Sequence, residues 1–170
     1  GSIAEISHKM DDYSEPAIVF KFKNSQGKVM GASLQGIVEN REKYPDRGYL
    51  KRILKNYDGL TGFYADVGRP KRLIFAESPI DVMSYYQLHP QLQYVRVVAM
   101  DGLKEGLMSV RFAELVSDLQ GKTYEPGERT VKLLEATAQT STFFQQEGNE
   151  NLLTLAVDND AAGHKFISKL

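Results

Sequence analysis

Two short apolar runs, each ending on an acid, limit what this chain can fold into more than any other feature. The first reads Leu73-Ile74-Phe75-Ala76-Glu77-Ser78-Pro79-Ile80-Asp81. The second reads Leu152-Leu153-Thr154-Leu155-Ala156-Val157-Asp158-Asn159-Asp160-Ala161-Ala162-Gly163. A short apolar run bounded by turn formers is the pattern of a buried strand. Open α/β sheets bind ligands outside their strand ends. Glu77, Asp158 and Asp160 are therefore expected on one rim of one sheet. Carboxylates gathered there repel one another unless a cation neutralises them. Oxygen ligands with no Cys and no paired His suit Mg²⁺ or Mn²⁺.

The pattern around these runs alternates strand and helix. Residues 72–76, 94–100 and 152–157 read as strands, and residues 79–88, 107–119, 131–145 and 161–170 as helices. Ser78 suits an N-cap and Pro79 a first helical turn. Ile80, Met83, Tyr86 (or Tyr85) and Leu88 keep helical spacing, and Val110, Leu115 and Leu119 are the expected buried positions of the second helix. This order predicts an α/β domain, a mostly parallel sheet with right-handed crossovers. Upstream, residues 17–22 and 29–34 predict a β-hairpin around a turn at 24–28. Residues 3–15 read as a polar lead-in, and 62–66 as a short strand. The expected organisation is an expression scar at 1–2, a small N-terminal subdomain at 3–70, and the α/β domain at 71–170. Lacking an initiator Met, the chain reads as a fragment of something longer.

Charge adds a second constraint. The whole chain carries a net charge of −1, yet residues 1–76 hold 13 Lys+Arg against 9 Asp+Glu, and residues 77–170 hold 8 against 13. Lys51, Arg52 and Lys55 cluster, as do Arg69, Lys71 and Arg72. A basic shoulder beside an acidic pocket suits an enzyme of nucleic acids; ordinary surface charge explains the excess equally well. Tyr44, Tyr49, Tyr57 and Tyr64 interleave with these cations, where packing and base stacking both have use for an aromatic ring. Cysteine is absent, which excludes disulfide scaffolds and fits a cytoplasmic protein. His8, His89 and His164 stand at no zinc-ligand spacing, and neither a P-loop nor a dinucleotide fingerprint occurs.

Each acid has a structural alternative. Asp158 and Asp160, two apart, point the same way on an extended strand end and can face one cation. Ala161-Ala162-Gly163 then opens a helix whose small residues let a phosphate approach the backbone. Alternatively, Asp160 only caps that helix and Asp81 only complements the dipole of the preceding one. Glu77 is the best general acid/base. Asp101-Gly102 is a further strand-to-helix turn on the rim, where Gly102 allows close approach and Lys104 can meet a phosphate.

Taken together, the Glu77…Asp81 string and the Asp158-x-Asp160-x-x-Gly163 string resemble the Toprim domain, shared by DnaG-type primases, type IA and type II topoisomerases, OLD-family nucleases and RecR-type proteins. The strings from Phe75 to Tyr86 and from Met100 to Lys104 are similar to LtrC-like proteins of Gram-positive conjugative elements. The hairpin with Asn24, Gly27 and Gly31 resembles the small N-terminal part of a DnaG-type core. The resemblance implies a Toprim, Rossmann-like sheet. Glu77 would be a general acid/base or metal ligand, Asp158 and Asp160 would be Mg²⁺ ligands, and Asp81 would support the site. It further implies nucleotidyl or phosphodiester transfer on a DNA template, in company with nucleotides and replication or conjugation proteins. A non-catalytic DNA-binding or assembly module and an OLD-like nuclease are the alternatives. Three departures stand out. Residues 121–150 lengthen the gap before the second acidic strand, the chain ends one helix after it where the family adds a further strand, and no primase zinc module is present.

Overall fold

The computed structural model describes residues 3–10, 13–54, 57–140 and 142–168. The chain divides into two compact units, residues 1–58 and 59–170. The division falls before the expected boundary at 70, because residues 64–67 pair with a strand of the second unit.

The first unit is an antiparallel meander of β1 (Ile3–Met10), β2 (Tyr13–Lys23), β3 (Val29–Gly36) and β4 (Lys51–Ile53), in that spatial order. The expected hairpin is β2–β3. Its turn closes on the Asn24 side chain, whose Oδ1 accepts from the backbone N–H of Gln26 at 3.1 Å and Lys28 at 2.9 Å. Ala17, Val19, Ala32 and Leu34 bury one face of the pair under Leu50. Phe22 on the other face meets Tyr57, with ring centroids 4.8 Å apart. The expected lead-in over 3–15 is structured where it is described: residues 3–10 form β1 and 13–15 start β2, registered Ile3↔Phe20 through Met10↔Tyr13. Backbone pairing needs no apolar pattern, and this strand carries little of one.

The second unit contains β5 (Tyr64–Val67), β6 (Arg72–Ala76), α1 (Pro79–Leu88), β7 (Val95–Ala99), α2 (Glu105–Leu119), α3 (Leu133–Thr140), β8 (Leu153–Ala156) and α4 (Ala161–Ile167). Its strand order is β5-β7-β6-β8, with β6, β7 and β8 parallel and β5 antiparallel to β7. The expected helix over 131–145 is broken into a 3₁₀ turn at Glu128–Lys132, α3, and a second turn at Phe143–Gln145.

Side-chain alternation sends Leu73, Phe75, Val98 and Met100 to one face of the sheet. There they form one core with Leu107, Met108, Phe112 and Leu115 of α2, Leu134 of α3, and Phe166 of α4. Each fully buried Leu or Phe contributes about 1.5–3 kcal/mol. The opposite face takes α1, which buries Pro79 and Val82. Its expected stripe is turned outward: Ile80, Met83, Tyr86 and Leu88 are all exposed. The helical spacing is right, but the sheet selects the neighbouring stripe. In α2 the reverse occurs. Residues 107–115 are all buried, with Phe112 packed against Phe143 and Phe144 and the Ser109 hydroxyl accepting from Leu134 N–H, while Leu119 at the helix end is exposed.

A partly buried ionic cluster fastens β5 and α2. Arg96 grips Asp66 with two hydrogen bonds of 2.7 and 2.9 Å, and reaches Glu114 at 3.4 Å. Arg111, fully buried, holds Glu114 at 2.7 Å and donates to the Gly62 carbonyl. Both guanidinium groups lie over the Tyr64 ring, at 4.2 and 4.7 Å. Burial opposes the Arg96 charge, but Asp66 (by hydrogen bond and charge), Tyr64 and Glu114 outweigh it and hold its pKa above the ordinary arginine value. Among the described residues no helix is long and apolar enough to cross a membrane.

Candidate functional site

The central strand of the parallel trio is β6, so Glu77 just past its end has a neighbouring strand end on each side. On one side, Gly102 donates its N–H to the Glu77 carbonyl at 3.3 Å. On the other, Asp158 donates its backbone N–H to Glu77 Oε1 at 3.0 Å. The connection after β6 leads to α1 on one face, whereas the connection after β8 leads to α4 on the other, where Phe166 joins the core. Adjacent parallel strands whose connections diverge to opposite faces open a crevice at their carboxyl ends. Glu77 and Asp158 stand at its mouth, the first half-buried and the second exposed.

The remaining acids have local duties. Asp81 closes a capping box on α1. Its Oδ2 accepts from Ser78 N–H at 2.9 Å and from the Ser78 hydroxyl at 2.6 Å, while the Asp81 N–H points back to Ser78 Oγ at 3.4 Å. Asp160 is the N-cap of α4, accepting from Gly163 N–H at 2.8 Å. Between the acids, Asn159 Oδ1 pairs with His164 Nε2 at 2.8 Å. Gly163 carries the tightest constraint of this segment, because a Cβ there would stand 2.1 Å from the Asp158 carbonyl oxygen. The first turn of α4 thus rests directly on the backbone of the acid at the crevice. In sequence this glycine reads only as a small residue; its close approach is a tertiary fact.

Asp101 is buried and holds a left-handed backbone (φ 50), with Gly102 following at φ 104. Left-handed geometry is tolerated by Asp better than by most residues. Lys104 occupies the N-cap position of α2 two residues on, half-buried.

The expected cluster of Arg69, Lys71 and Arg72 does not lie at this rim. Arg69, Lys71 and Arg72 precede or open β6, and Glu77 follows its end. Five residues of strand at about 3.3 Å each separate the two groups by about 16 Å. They sit at the opposite end of the strands, where Lys71 lies over the Tyr94 ring at 5.2 Å. Residues adjacent in sequence across a strand lie at its two ends, so the spacing that suggested a shoulder in fact keeps the groups apart. Lys51 and Arg52 belong to β4 of the first unit. Lys55 lies outside the described residues.

Among the described residues no group of three or more His, Asp or Glu side chains closes around a common point. The donor chemistry at the crevice still fits a hard cation: Mg²⁺ is usually held by only one or two carboxylates, with water and substrate phosphate completing its shell. Glu77 and Asp158 are carboxylates of that type, and the hydrogen bond between them runs through the Asp158 backbone N–H.

No family model matches the chain. A Bacillus anthracis protein named as uncharacterized protein pXO2-78 is 31% identical over 166 residues, which cover 95% of this chain. The chain spans 39% of the length of that relative. Among solved structures, one chain of the complex between bacteriophage T7 lagging-strand DNA polymerase and the primase domains of two gp4 subunits superposes with a TM-score of 0.47 and 12% identity, covering 97% of this chain and 63% of that one. A DnaG catalytic core gives a TM-score of 0.38 and 14% identity, covering 89% of this chain and 48% of that one.

Proposed function

We propose that the chain is a Toprim-type, primase-like module that acts in Mg²⁺-dependent nucleotidyl or phosphodiester transfer on DNA, within a longer replication protein of a mobile element. The observation that carries this reading is the pairing of Glu77 with Asp158 across the crevice between β6 and β8. Glu77 Oε1 is occupied by the Asp158 N–H, which leaves Oε2 to take or deliver a proton at a reacting hydroxyl. Asp158, fixed through its backbone at that bond and at the Gly163 contact, would present its carboxylate to the cation, with Asp160 beside it. A bound Mg²⁺ would polarise the phosphate under attack. Asp81 acts through α1, whose start it caps. Gly102 and Lys104 form the wall on the β7 side, where an exposed glycine allows a phosphate to come close. The expected partners are single-stranded template, nucleotides and other replication or conjugation proteins, in the cytoplasm.

The test is Mn²⁺ binding followed by electron paramagnetic resonance for wild type, Glu77→Gln and Asp158→Asn. Equal affinity in all three would remove the site. Primer synthesis by the longer protein on single-stranded template then reads the reaction, and its absence with every divalent metal would remove the primase label alone. The capping duties of Asp81 and Asp160 favour one second reading, a DNA-binding assembly module. It is distinguished by salt-sensitive DNA binding that Glu77→Gln leaves intact, with no turnover to lose.

A further inference from the structure

The loop between β3 and β4 has a built interior that the rim chemistry does not use. Residues 37–50 fold back on themselves through backbone hydrogen bonds. Asn40 N–H donates to the Gly48 carbonyl (2.6 Å), Gly48 N–H to the Tyr44 carbonyl (2.7 Å), and Tyr44 N–H to the Asn40 carbonyl (2.8 Å). Asn40 Oδ1 also accepts from Lys43 N–H at 2.9 Å. Gly48 permits the closure with a left-handed φ of 74. Leu50 at the loop's end is buried in the core of the meander. Compact surface loops whose ends meet are frequently functional.

Beneath the loop lies Glu15, a carboxylate only 2% exposed. It accepts from the Tyr44 hydroxyl and pairs with Lys43 at 3.9 Å. A buried carboxylate tied to two loop side chains fixes their positions before any ligand arrives. Above it the loop borders an open cavity of about 210 Å³, whose lining includes Lys43, Tyr44, Asp46, Arg47, Tyr49 and Lys51. Three cations face one lining carboxylate, Asp46. Lys43 is partly neutralised by Glu15. Arg47, Lys51 and Tyr49 are exposed, and among the described residues neither Arg47 nor Lys51 enters an ion pair.

We infer that this loop cavity binds a phosphate-bearing nucleotide unit, with Arg47 and Lys51 on the phosphate and Tyr49 stacked on the base. A guanidinium fork matches two phosphate oxygens, an ammonium adds a point charge, and a tyrosine face accepts any base. The phosphate can come from a single strand or from a free nucleotide. The choice of nucleic acid as ligand rests on the proposed function, whereas the site lies outside the acidic crevice and needs no metal.

The experiment uses the whole chain in EDTA and two probes: a fluorescent oligothymidylate read by anisotropy, and a fluorescent ATP analogue. The comparison is wild type against Arg47→Gln/Lys51→Gln, with Tyr49→Ala and Tyr49→Phe alongside. The double variant should weaken one or both probes by about tenfold near 0.1 M salt. For the oligonucleotide it should flatten the slope of log K against log salt by about 0.7, the release expected from one single-strand phosphate contact. Tyr49→Phe should bind like wild type and Tyr49→Ala should not, a contrast that charge loss alone would not produce. Sensitivity of the oligonucleotide identifies a strand as the source, and sensitivity of the ATP analogue alone identifies a free nucleotide. Unchanged affinity for both probes in the double variant, with unaltered circular dichroism, overturns the inference. So does equal loss in Glu77→Gln without metal. Because the crevice is read by Mn²⁺ binding, the two sites fail independently.

Discussion

The contact between Gly163 and Asp158 makes a substitution that ordinarily stabilises a helix do the opposite. Gly163 lies in the first turn of α4, where replacing glycine by alanine normally contributes up to about 1 kcal/mol. Here the new Cβ would meet the Asp158 carbonyl oxygen at 2.1 Å and its carbon at 3.3 Å. Neither is a flexible side-chain tip, so helix and loop must separate by about 1 Å, a form of overpacking that costs about 1–3 kcal/mol. The net expectation for Gly163→Ala is a loss on the order of 1 kcal/mol. Gly106 in the first turn of α2 is the control. Its Cβ would meet only Val131 Cγ1 at 2.9 Å and Leu60 Cδ2 at 3.3 Å, side-chain ends that can yield. Gly106→Ala should therefore be neutral or stabilising. Equilibrium urea unfolding of both variants reads the contrast, and Mn²⁺ titration of Gly163→Ala should show weakened binding as Asp158 shifts. If Gly163→Ala is as stable as Gly106→Ala, helix α4 does not rest on the Asp158 backbone, and the preorganisation of the crevice falls with it.

Three further outcomes follow from the same geometry. Asp81→Ala removes the capping box of α1 and should cost about 1 kcal/mol in urea unfolding, whereas Asp158→Asn, at an exposed position, should change stability by less than about 0.5 kcal/mol; the reverse order would mean that Asp81 is not a cap. Glu114→Ala strips the buried Arg111 of its carboxylate and should cost about 3–5 kcal/mol, with Glu114→Gln milder because an acceptor remains. Burial, with added repulsion from Glu114, holds the Tyr124 phenol above its ordinary value against the opposing Thr130 hydrogen bond and Arg111 charge. Its contribution to stability is therefore complete below the ordinary phenol pKa and is lost as pH rises through the raised one. Wild type should lose stability above about pH 10 more steeply than Tyr124→Phe, read by denaturant midpoints at successive pH values.

The legible parts of this protein were those written in local pattern. Strand β6 and helix α1 fall where the apolar run and the Ser78-Pro79 signal place them, and the β2–β3 hairpin surrounds its Asn24 turn. Where local pattern was ambiguous, packing decided. Two stripes of α1 have helical spacing, and only contact with the sheet selects Pro79 and Val82 over Ile80 and Met83. Strand β1 carries little alternation because antiparallel pairing to β2 satisfies its backbone whatever its side chains.

By itself, the sequence determined that acids follow apolar strands at 77 and 158 and that helices follow the acids, since strand length, turn chemistry and helix starts are set within a few residues. Which strand ends are neighbours is set by the tertiary fold. Placing β6 between β7 and β8 brings Asp158 to Glu77 from 81 residues away. The same strand keeps Arg69, Lys71 and Arg72 at its opposite end. Strand order is a non-local choice, fixed by which faces must be buried, and a local pattern holds no record of it.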